Sequence, residues 1–183
     1  MRKIYITGTG RCGTTFLIKL FTFLKYNTLF TKENYTNYIY ENCNSGMETR
    51  YNCKADIIKN PKIIEDIGKI VLDKNVTIKA VIIPVRDYTQ SAKSRVKHKN
   101  SYGGLWNAKD EQSQINFYNK IMANYIYYMT KYEINTIFLD FDKMISDKKY
   151  LFDKLNSILK EKNITFEQFE KVYDIVTENS KPK

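Results

Sequence analysis

The feature that most constrains this chain is a glycine-rich turn between an apolar strand and an apolar helix. Residues 3–17 have the sequence KIYITGTGRCGTTFL, in which alternating β-branched residues precede three glycines. Glycine permits backbone angles and close approaches that other residues resist. A helix that begins after such a turn directs unpaired N–H groups and the positive end of its dipole into the loop. The segment therefore predicts a binding site for a phosphate or sulfate group.

Strand and helix patterns alternate along the rest of the chain. The strand candidates are 55–59, 78–85 and 135–141. Helical spacing of apolar residues follows each of them, Thr165 and Gln168 predict a capping box, and residues 27–52 predict loop or short helix. This alternation predicts one α/β domain, residues 1–183, with a mostly parallel central sheet flanked by helices on both faces. Ligands bind such sheets at the carboxyl ends of the strands.

Composition excludes several classes of protein. The chain has 183 residues, of which 43% are hydrophobic and 14% aromatic, so we expect a buried core rather than disorder. Cys12, Cys43 and Cys53 have no metal-ligand spacing and predict free thiols in a reducing compartment. The start of the chain lacks a signal-peptide pattern and a membrane-length apolar run. We therefore expect a soluble, cytoplasmic protein without a membrane span.

The glycine spacing also matches a loop that binds nucleoside triphosphates. Gly8 and Gly13 have the separation of that loop, but Thr14 occupies the position of its lysine. In kinases this lysine neutralises the β- and γ-phosphates beside a metal ion, so its absence argues against such chemistry. Asp140 and Asp142 end a strand as a metal-holding Asp of a kinase would, although helix capping is the more usual role.

Two alternatives therefore stay open at the level of the residues. One is a nucleotide or small-molecule kinase that uses ATP and Mg. The other is a non-enzymatic basic module that binds nucleic acid or an anionic polymer, which the net charge of +10 would suit. Net charge alone does not separate an anionic cofactor from a polymer.

Two motifs resemble those of sulfotransferases that use 3′-phosphoadenosine 5′-phosphosulfate (PAPS). Residues 11–15, RCGTT, resemble the [Lys/Arg]-Ser-Gly-Thr-Thr loop of that family, with a cysteine in place of the serine. The family's second motif is Arg-Asp/Asn-Pro with a serine eight residues after the arginine. Arg86 and Ser94 have that spacing here, with Tyr88 in place of the proline.

Further segments extend the resemblance in the family's order. Residues 58–61 are similar to a Lys-x-Pro segment, in which Lys59 is the lysine. Residues 138–147 and the helix after them are similar to the family's Tyr-Glu-Asp-Leu segment and closing helix. The resemblance implies a three-layer P-loop fold of the nucleotide-kinase-like type. It also implies transfer of a sulfuryl group to a hydroxyl or amine of a small-molecule, carbohydrate or peptide acceptor, without a required metal and without nucleic acid as an expected partner.

The resemblance assigns roles to the residues that match the motifs. Arg11, with the N–H groups that follow it, would hold the 5′-phosphosulfate, and Arg86 with Ser94 would bind the 3′-phosphate, which ATP lacks. Lys59 is expected near the transferred sulfuryl group. The predicted cofactor-binding residues are Gly10, Arg11, Cys12, Gly13, Thr14, Thr15, Arg86 and Ser94.

A hydroxyl or amine acceptor also needs a base that removes its proton. In several branches of the family the base is a Glu beyond the loop, and Glu33 lies 22 residues after Arg11. The predicted catalytic residues are therefore Arg11, Glu33 and Lys59. Glu41 is the second candidate for the base. His98, the single histidine, follows the second motif, whereas the base of the family's His branches precedes it.

Overall fold

The computed structural model describes residues 2–40, 45–98 and 103–180. The strands are β1 (Arg2–Ile6), β2 (Ile39–Tyr40), β3 (Ser45–Gly46), β4 (Ile57–Lys59), β5 (Thr77–Val85) and β6 (Thr136–Asp140). The helices are α1 (Thr14–Phe23), α2 (Ile63–Ile70), α3 (Tyr88–Lys97), α4 (Glu111–Lys131), α5 (Phe141–Ser146), α6 (Lys148–Leu159) and α7 (Phe166–Glu178). Short 3₁₀ helices occupy Tyr35–Tyr38 and Lys160–Lys162.

The central sheet has four parallel strands in the order β4-β1-β5-β6. Ile4 of β1 pairs with Ile57 of β4 on one side and with Ala80 of β5 on the other. Parallel neighbours need a crossover connection, and α1, α2 and the pair α3 and α4 supply the three crossovers. The carboxyl ends of all four strands therefore meet at one edge of the sheet, where the glycine-rich turn begins.

Alternate residues of the two interior strands face opposite sides of the sheet. Ile4, Ile6 and Ile82 belong to a buried apolar cluster with residues of α1, α6 and α7. Tyr5 and Val81 belong to a second cluster with residues of α2 and α4. Helices therefore cover both faces of the sheet, and the predicted α/β architecture is confirmed.

The longest helix, α4, packs on the sheet through a single stripe. It has 21 residues, and its buried side chains recur every three or four positions: Gln114, Tyr118, Ile121 and Tyr125. The opposite face carries polar residues such as Asn119 and Lys120. Among the helices in the described ranges, none combines the length and the hydropathy that crossing a membrane requires.

Two local predictions are confirmed. β5 covers the predicted strand, and Pro84, which lacks an N–H, lies one residue before its end. The capping box at the start of α7 is formed, because Thr165 Oγ1 accepts from the N–H of Gln168 at 3.3 Å and Gln168 Oε1 accepts from the N–H of Thr165 at 3.0 Å.

Two other local predictions need correction. The predicted strand 135–141 ends at Asp140, because the Asp140 carboxylate accepts from the N–H of Lys143 at 2.9 Å and starts α5. The segment 27–52 contains an antiparallel hairpin of β2 and β3 in addition to a 3₁₀ helix. Strands of two residues are too short for an alternating pattern to show in the sequence.

Thr165→Ala should lower the free energy of unfolding by about 1 kcal/mol, because the substitution removes the side-chain acceptor of the α7 capping box. Urea denaturation monitored by circular dichroism measures the change. The matched control is Thr89→Ala, an exposed threonine in the first turn of α3, a helix that Asp87 caps. A loss at Thr165 no larger than at Thr89 would contradict the assigned cap.

Candidate functional site

The glycine-rich turn enters α1 through residues with positive φ. The φ angles are 77° at Gly10, 57° at Arg11 and 86° at Gly13. Glycine adopts such angles readily, whereas for Arg11 the left-handed region costs about 1–2 kcal/mol. Two contacts hold Arg11 there: its Nε donates to Ser94 Oγ at 3.0 Å, and its carbonyl accepts from Arg86 Nη1 at 3.1 Å. The turn is therefore fastened to the segment that follows β5.

The start of α1 offers backbone N–H groups to a ligand. Gly13 is the residue that precedes the helix, and no side chain there accepts a hydrogen bond from the first turn. The first turn also contains no acidic residue. The first N–H groups of a helix lack intrahelical partners and lie at the positive end of its dipole. Because Gly13, Thr14 and Thr15 also line a cavity, this helix start can receive an anion from that cavity.

The cavity has a volume of about 1010 Å³ and lies at the carboxyl ends of β1 and β4. The turn, the β2–β3 hairpin, residues 103–107, α5 and the end of α7 supply its walls. Its charged lining residues, within the described part of the chain, are Arg11, Lys19, Glu48, Lys59, Lys62 and Arg95. Five of these six are basic, so the cavity favours anionic groups. Its volume matches that of pockets that bind cofactor-sized ligands.

Arg86 and Ser94 contact the turn from behind and do not line the cavity. The guanidinium of Arg86 lies over the ring of Phe141, 4.6 Å from the ring centroid, and Nη2 donates to Gln90 Oε1 at 3.4 Å. Its Nε is buried without a hydrogen-bond partner in the described ranges. The structure thus brings the two predicted phosphate-binding motifs into direct contact, and Arg86 retains one unused buried donor.

Arg95, the neighbour of Ser94, fixes the position of the turn. It is buried, and its guanidinium donates to Thr9 O at 3.2 Å, to Gly104 O at 2.6 Å and to the hydroxyl of Tyr118 at 2.7 Å. These acceptors belong to the turn, to residues 103–107 and to α4. One side chain therefore joins three parts of the molecule around the cavity.

Two glycines of the turn allow neighbouring side chains to approach the backbone closely. A Cβ atom at Gly10 would collide with the guanidinium of Arg95. A Cβ atom at Gly13 would lie 2.5 Å from Met144 Cε and 3.1 Å from Phe141 Cε2. Together with their positive φ angles, these contacts explain why both positions need glycine.

Trp106 both lines the cavity and is anchored. The backbone N–H of Trp106 donates to Gln114 Oε1 at 2.7 Å, and Gln114 Nε2 donates to the backbone carbonyl of Trp106 at 3.2 Å. The guanidinium of Arg95 lies 5.4 Å from the indole centroid. The segment 103–107 is therefore held against α3 and α4 while it contributes one wall of the cavity.

Lys59 ends β4 on the opposite wall. Its ammonium is buried, donates to Gly46 O at 2.8 Å and forms an ion pair with Glu48. Both charged residues line the cavity, and 35% of the Glu48 side chain is exposed. Lys59 thus attaches the β2–β3 hairpin to the sheet. Its position agrees with the expected proximity to a transferred group, although that role stays a prediction.

Cys12 lies inside the turn, away from the cavity. Its side chain is buried, and burial raises the pKa of the thiol. The thiol is therefore neutral at physiological pH and packs as a small apolar group. Of the other cysteines, Cys53 is a partly buried free thiol, and Cys43 lies outside the described residues.

Glu33 does not reach the cavity. It is exposed in a turn, where a hydrogen bond from the hydroxyl of Thr31 lowers the pKa of its carboxyl. Glu41, the second candidate for the base, lies outside the described residues. Burial and the nearby charges of Arg11 and Lys97 lower the pKa of His98, which also does not line the cavity. Of the two candidates that the structure describes, Glu33 and His98, the geometry therefore favours neither as the base.

Asp140 and Asp142 both lie at the start of α5. Asp140 caps α5, as the capping alternative predicted, and Asp142 lies in the first turn of that helix. Neither lines the cavity. In the ranges that the structure describes, no group of three or more His, Cys, Asp or Glu residues is placed to hold a metal ion.

Comparison with known proteins leaves the fold family open. No protein-family model, no curated protein and no solved structure matches this chain. The assignment of the site therefore depends on the geometry of the described residues alone.

Sequence reasoning missed four charged residues that line the cavity: Lys19, Glu48, Arg95 and the exposed Lys62. Lys19 carried a detectable signal, because it is the single charged residue in the apolar helix α1. Glu48 and Arg95 carried none, since each belongs to a polar stretch with several similar residues. Their importance depends on contacts between segments that are distant in sequence.

Gly10→Ala should lower the free energy of unfolding by about 2–4 kcal/mol, because it combines a strained φ with a collision against Arg95. Urea denaturation of a double-mutant cycle with Arg95→Met separates the two causes. In the Arg95→Met background, Gly10→Ala should lower the free energy of unfolding by only about 1–2 kcal/mol, which is the cost of a positive φ for a residue with a Cβ atom. Equal costs in both backgrounds would show that the two residues do not interact.

Proposed function

We propose that this chain is a sulfotransferase of the P-loop type that uses PAPS as the sulfuryl donor. One observation carries the proposal: the turn and the segment after β5 meet through Arg11 Nε to Ser94 Oγ at 3.0 Å and Arg86 Nη1 to the Arg11 carbonyl at 3.1 Å. A donor with phosphate groups at both its 3′ and 5′ positions needs two anion sites close together. ATP has no 3′-phosphate and therefore needs no second anion site.

The residues present fit a donor with two anionic ends. The start of α1 supplies uncapped N–H groups toward the cavity, and Arg11 adds a cation beside them. Arg86 has a buried Nε without a hydrogen-bond partner in the described ranges, and the Ser94 hydroxyl contacts Arg11, whose carbonyl Arg86 also contacts. A bound 3′-phosphate would accept hydrogen bonds from Arg86 and Ser94 in place of the contacts that these two side chains make to Arg11 in the turn.

The chain's residues would act by positioning and by stabilising charge. The bound donor supplies an activated sulfuryl group, and transfer moves negative charge onto the leaving phosphate. Arg11 and the N–H groups of Thr14 and Thr15 would stabilise that charge because they are already oriented in the folded chain. Lys59 is held at the end of β4 and would orient the acceptor side of the cavity.

Glu48 is better placed than Glu33 to accept the acceptor's proton. It lines the cavity next to Lys59, whereas Glu33 is exposed outside the cavity. A base must lie within hydrogen-bond reach of the proton that it removes. We therefore add Glu48 to the proposed catalytic residues, and Glu33 stays as the prediction from sequence.

The kinase alternative has less support. Thr14 occupies the position of the phosphate-binding lysine, and Asp140 is engaged as the cap of α5. Calorimetry should therefore show tighter binding of adenosine 3′,5′-bisphosphate than of ATP with Mg. The reverse preference would contradict the sulfotransferase proposal. Affinity for single-stranded DNA that falls steeply with salt, without binding of either nucleotide, would instead favour a basic binding module.

Arg11→Ala and Arg86→Ala should each weaken the binding of adenosine 3′,5′-bisphosphate at least about tenfold, since each removes a charged hydrogen-bond donor to a phosphate. Isothermal titration calorimetry measures the affinities. Arg2→Ala is the matched control, because Arg2 is an exposed arginine at the opposite end of β1. Unchanged binding in both site variants would show that the assigned phosphate sites are wrong.

Glu48→Gln should lower kcat by about 10²–10⁴-fold with little effect on affinity for adenosine 3′,5′-bisphosphate, because the amide cannot accept the proton. Glu33→Gln is the paired variant and should leave kcat near that of the unmodified chain. Sulfate transfer from PAPS to an acceptor found by screening phenols, sugars and amines provides the rate. If Glu33→Gln lost turnover while Glu48→Gln kept it, Glu33 would be the base, as the sequence predicts.

A further inference from the structure

Lys19 is a buried cation without an anionic partner among the described residues. It lies in α1 one turn after Thr15, only 4% of its surface is exposed, and it lines the cavity. Within the described ranges its ammonium makes no hydrogen bond and no ion pair. It lies 5.7 Å from the ring centroid of Tyr35. Burial lowers the pKa of this lysine, as expected when nothing replaces the water around a charge.

The other buried cations of the described chain all have oxygen partners. Lys3 donates to the carbonyls of Cys53 and Ala55. Lys59 pairs with a carboxylate, and the guanidinium of Arg95 has three acceptors. A buried charge without such compensation destabilises the fold. Lys19 is therefore the exception that folding alone does not explain.

The position of Lys19 indicates which part of the cavity it serves. Lys19 lines the cavity, and its ammonium lies 5.7 Å from the ring centroid of Tyr35. Tyr35 belongs to the 3₁₀ helix that leads into β2, and the β2–β3 hairpin is the element that Lys59 attaches to the sheet. Lys19 thus lies on the hairpin side of the cavity, whereas Arg86, Ser94 and Arg95 lie on the α3 side.

We propose that Lys19 binds an anionic group of the acceptor, so that the preferred acceptors are acidic molecules that carry a carboxylate, sulfate or phosphate. This inference rests on the proposed function, because it assigns the hairpin side of the cavity to the acceptor. An acidic group that enters the cavity supplies the missing counter-charge, and an uncharged analogue leaves the ammonium buried without one. The same residue therefore attracts acidic acceptors and rejects neutral ones.

Titration of sodium sulfate at constant ionic strength tests the site. The protein is first saturated with adenosine 3′,5′-bisphosphate, which occupies the two proposed phosphate sites of the donor. Sulfate should still bind, and Lys19→Met should weaken that binding at least about tenfold. Lys32→Met is the matched control, because Lys32 also lies over an aromatic ring, 5.1 Å from the Phe23 centroid, but is exposed outside the cavity.

Thermal denaturation verifies that the variant folds and gives a second readout. In sulfate-free buffer, Lys19→Met should raise Tm by about 2–4 °C, because an apolar side chain replaces an uncompensated buried charge. Sulfate should raise the Tm of the unmodified protein and leave that of the variant unchanged. A lowered Tm, with sulfate binding equal to that of the unmodified protein, would overturn the proposal.

Two further outcomes separate this inference from the proposed function. Sulfate binding that depends on Lys19 but disappears once the bisphosphate is bound would assign Lys19 to the donor and overturn its role toward the acceptor. Failure of the bisphosphate to bind the unmodified protein would contradict the sulfotransferase proposal. If sulfate binding still depended on Lys19 in that case, Lys19 would belong to an anion site that is independent of sulfuryl transfer.

Discussion

The site depends on the buried guanidinium of Arg95. Its three hydrogen bonds join the turn after β1, the hydroxyl of Tyr118 on α4 and the segment that carries Trp106. A planar cation with several donors suits this position better than lysine, because its donors have fixed directions. One side chain in the last turn of α3 therefore joins three segments around the cavity.

The cavity is built from two halves with different constraints. On the α3 side, hydrogen bonds among the turn, Ser94 and Arg95 leave little freedom for the backbone. On the hairpin side, a short two-stranded segment is attached to the sheet through Lys59. A substitution in that hairpin would change the wall of the cavity without disturbing the central strands. In the proposed function, this division would separate the donor site on the α3 side from the acceptor site on the hairpin side.

The sequence predicted the parts of the structure that depend on local patterns. β5 followed from a continuous apolar run, and the strand, turn and helix around Gly10 followed from glycine spacing. The family resemblance assigned Ser94 and the turn to two phosphates of one cofactor, but it did not predict their direct hydrogen bond. The hairpin and the cavity positions of Glu48 and Arg95 were not predictable, because pairing between polar segments distant in sequence leaves no periodic signal. Lys19 was visible as a charge among apolar residues, but only the structure shows that its ammonium has no oxygen partner in the described ranges.

The left-handed backbone at Arg11 has an implication for how the turn arose. Glycine at this position would relieve the conformational strain, and the neighbouring positions show that the turn readily accommodates glycine. A chain selected for folding alone would therefore favour glycine there. The arginine carries that conformational cost and places a guanidinium at the start of α1, where the proposed anion binding would use it. Lys25 and Glu133 also have positive φ, at 61° and 50°, but neither lines the cavity, so Arg11 is the charged residue that combines a left-handed backbone with a place in the cavity wall.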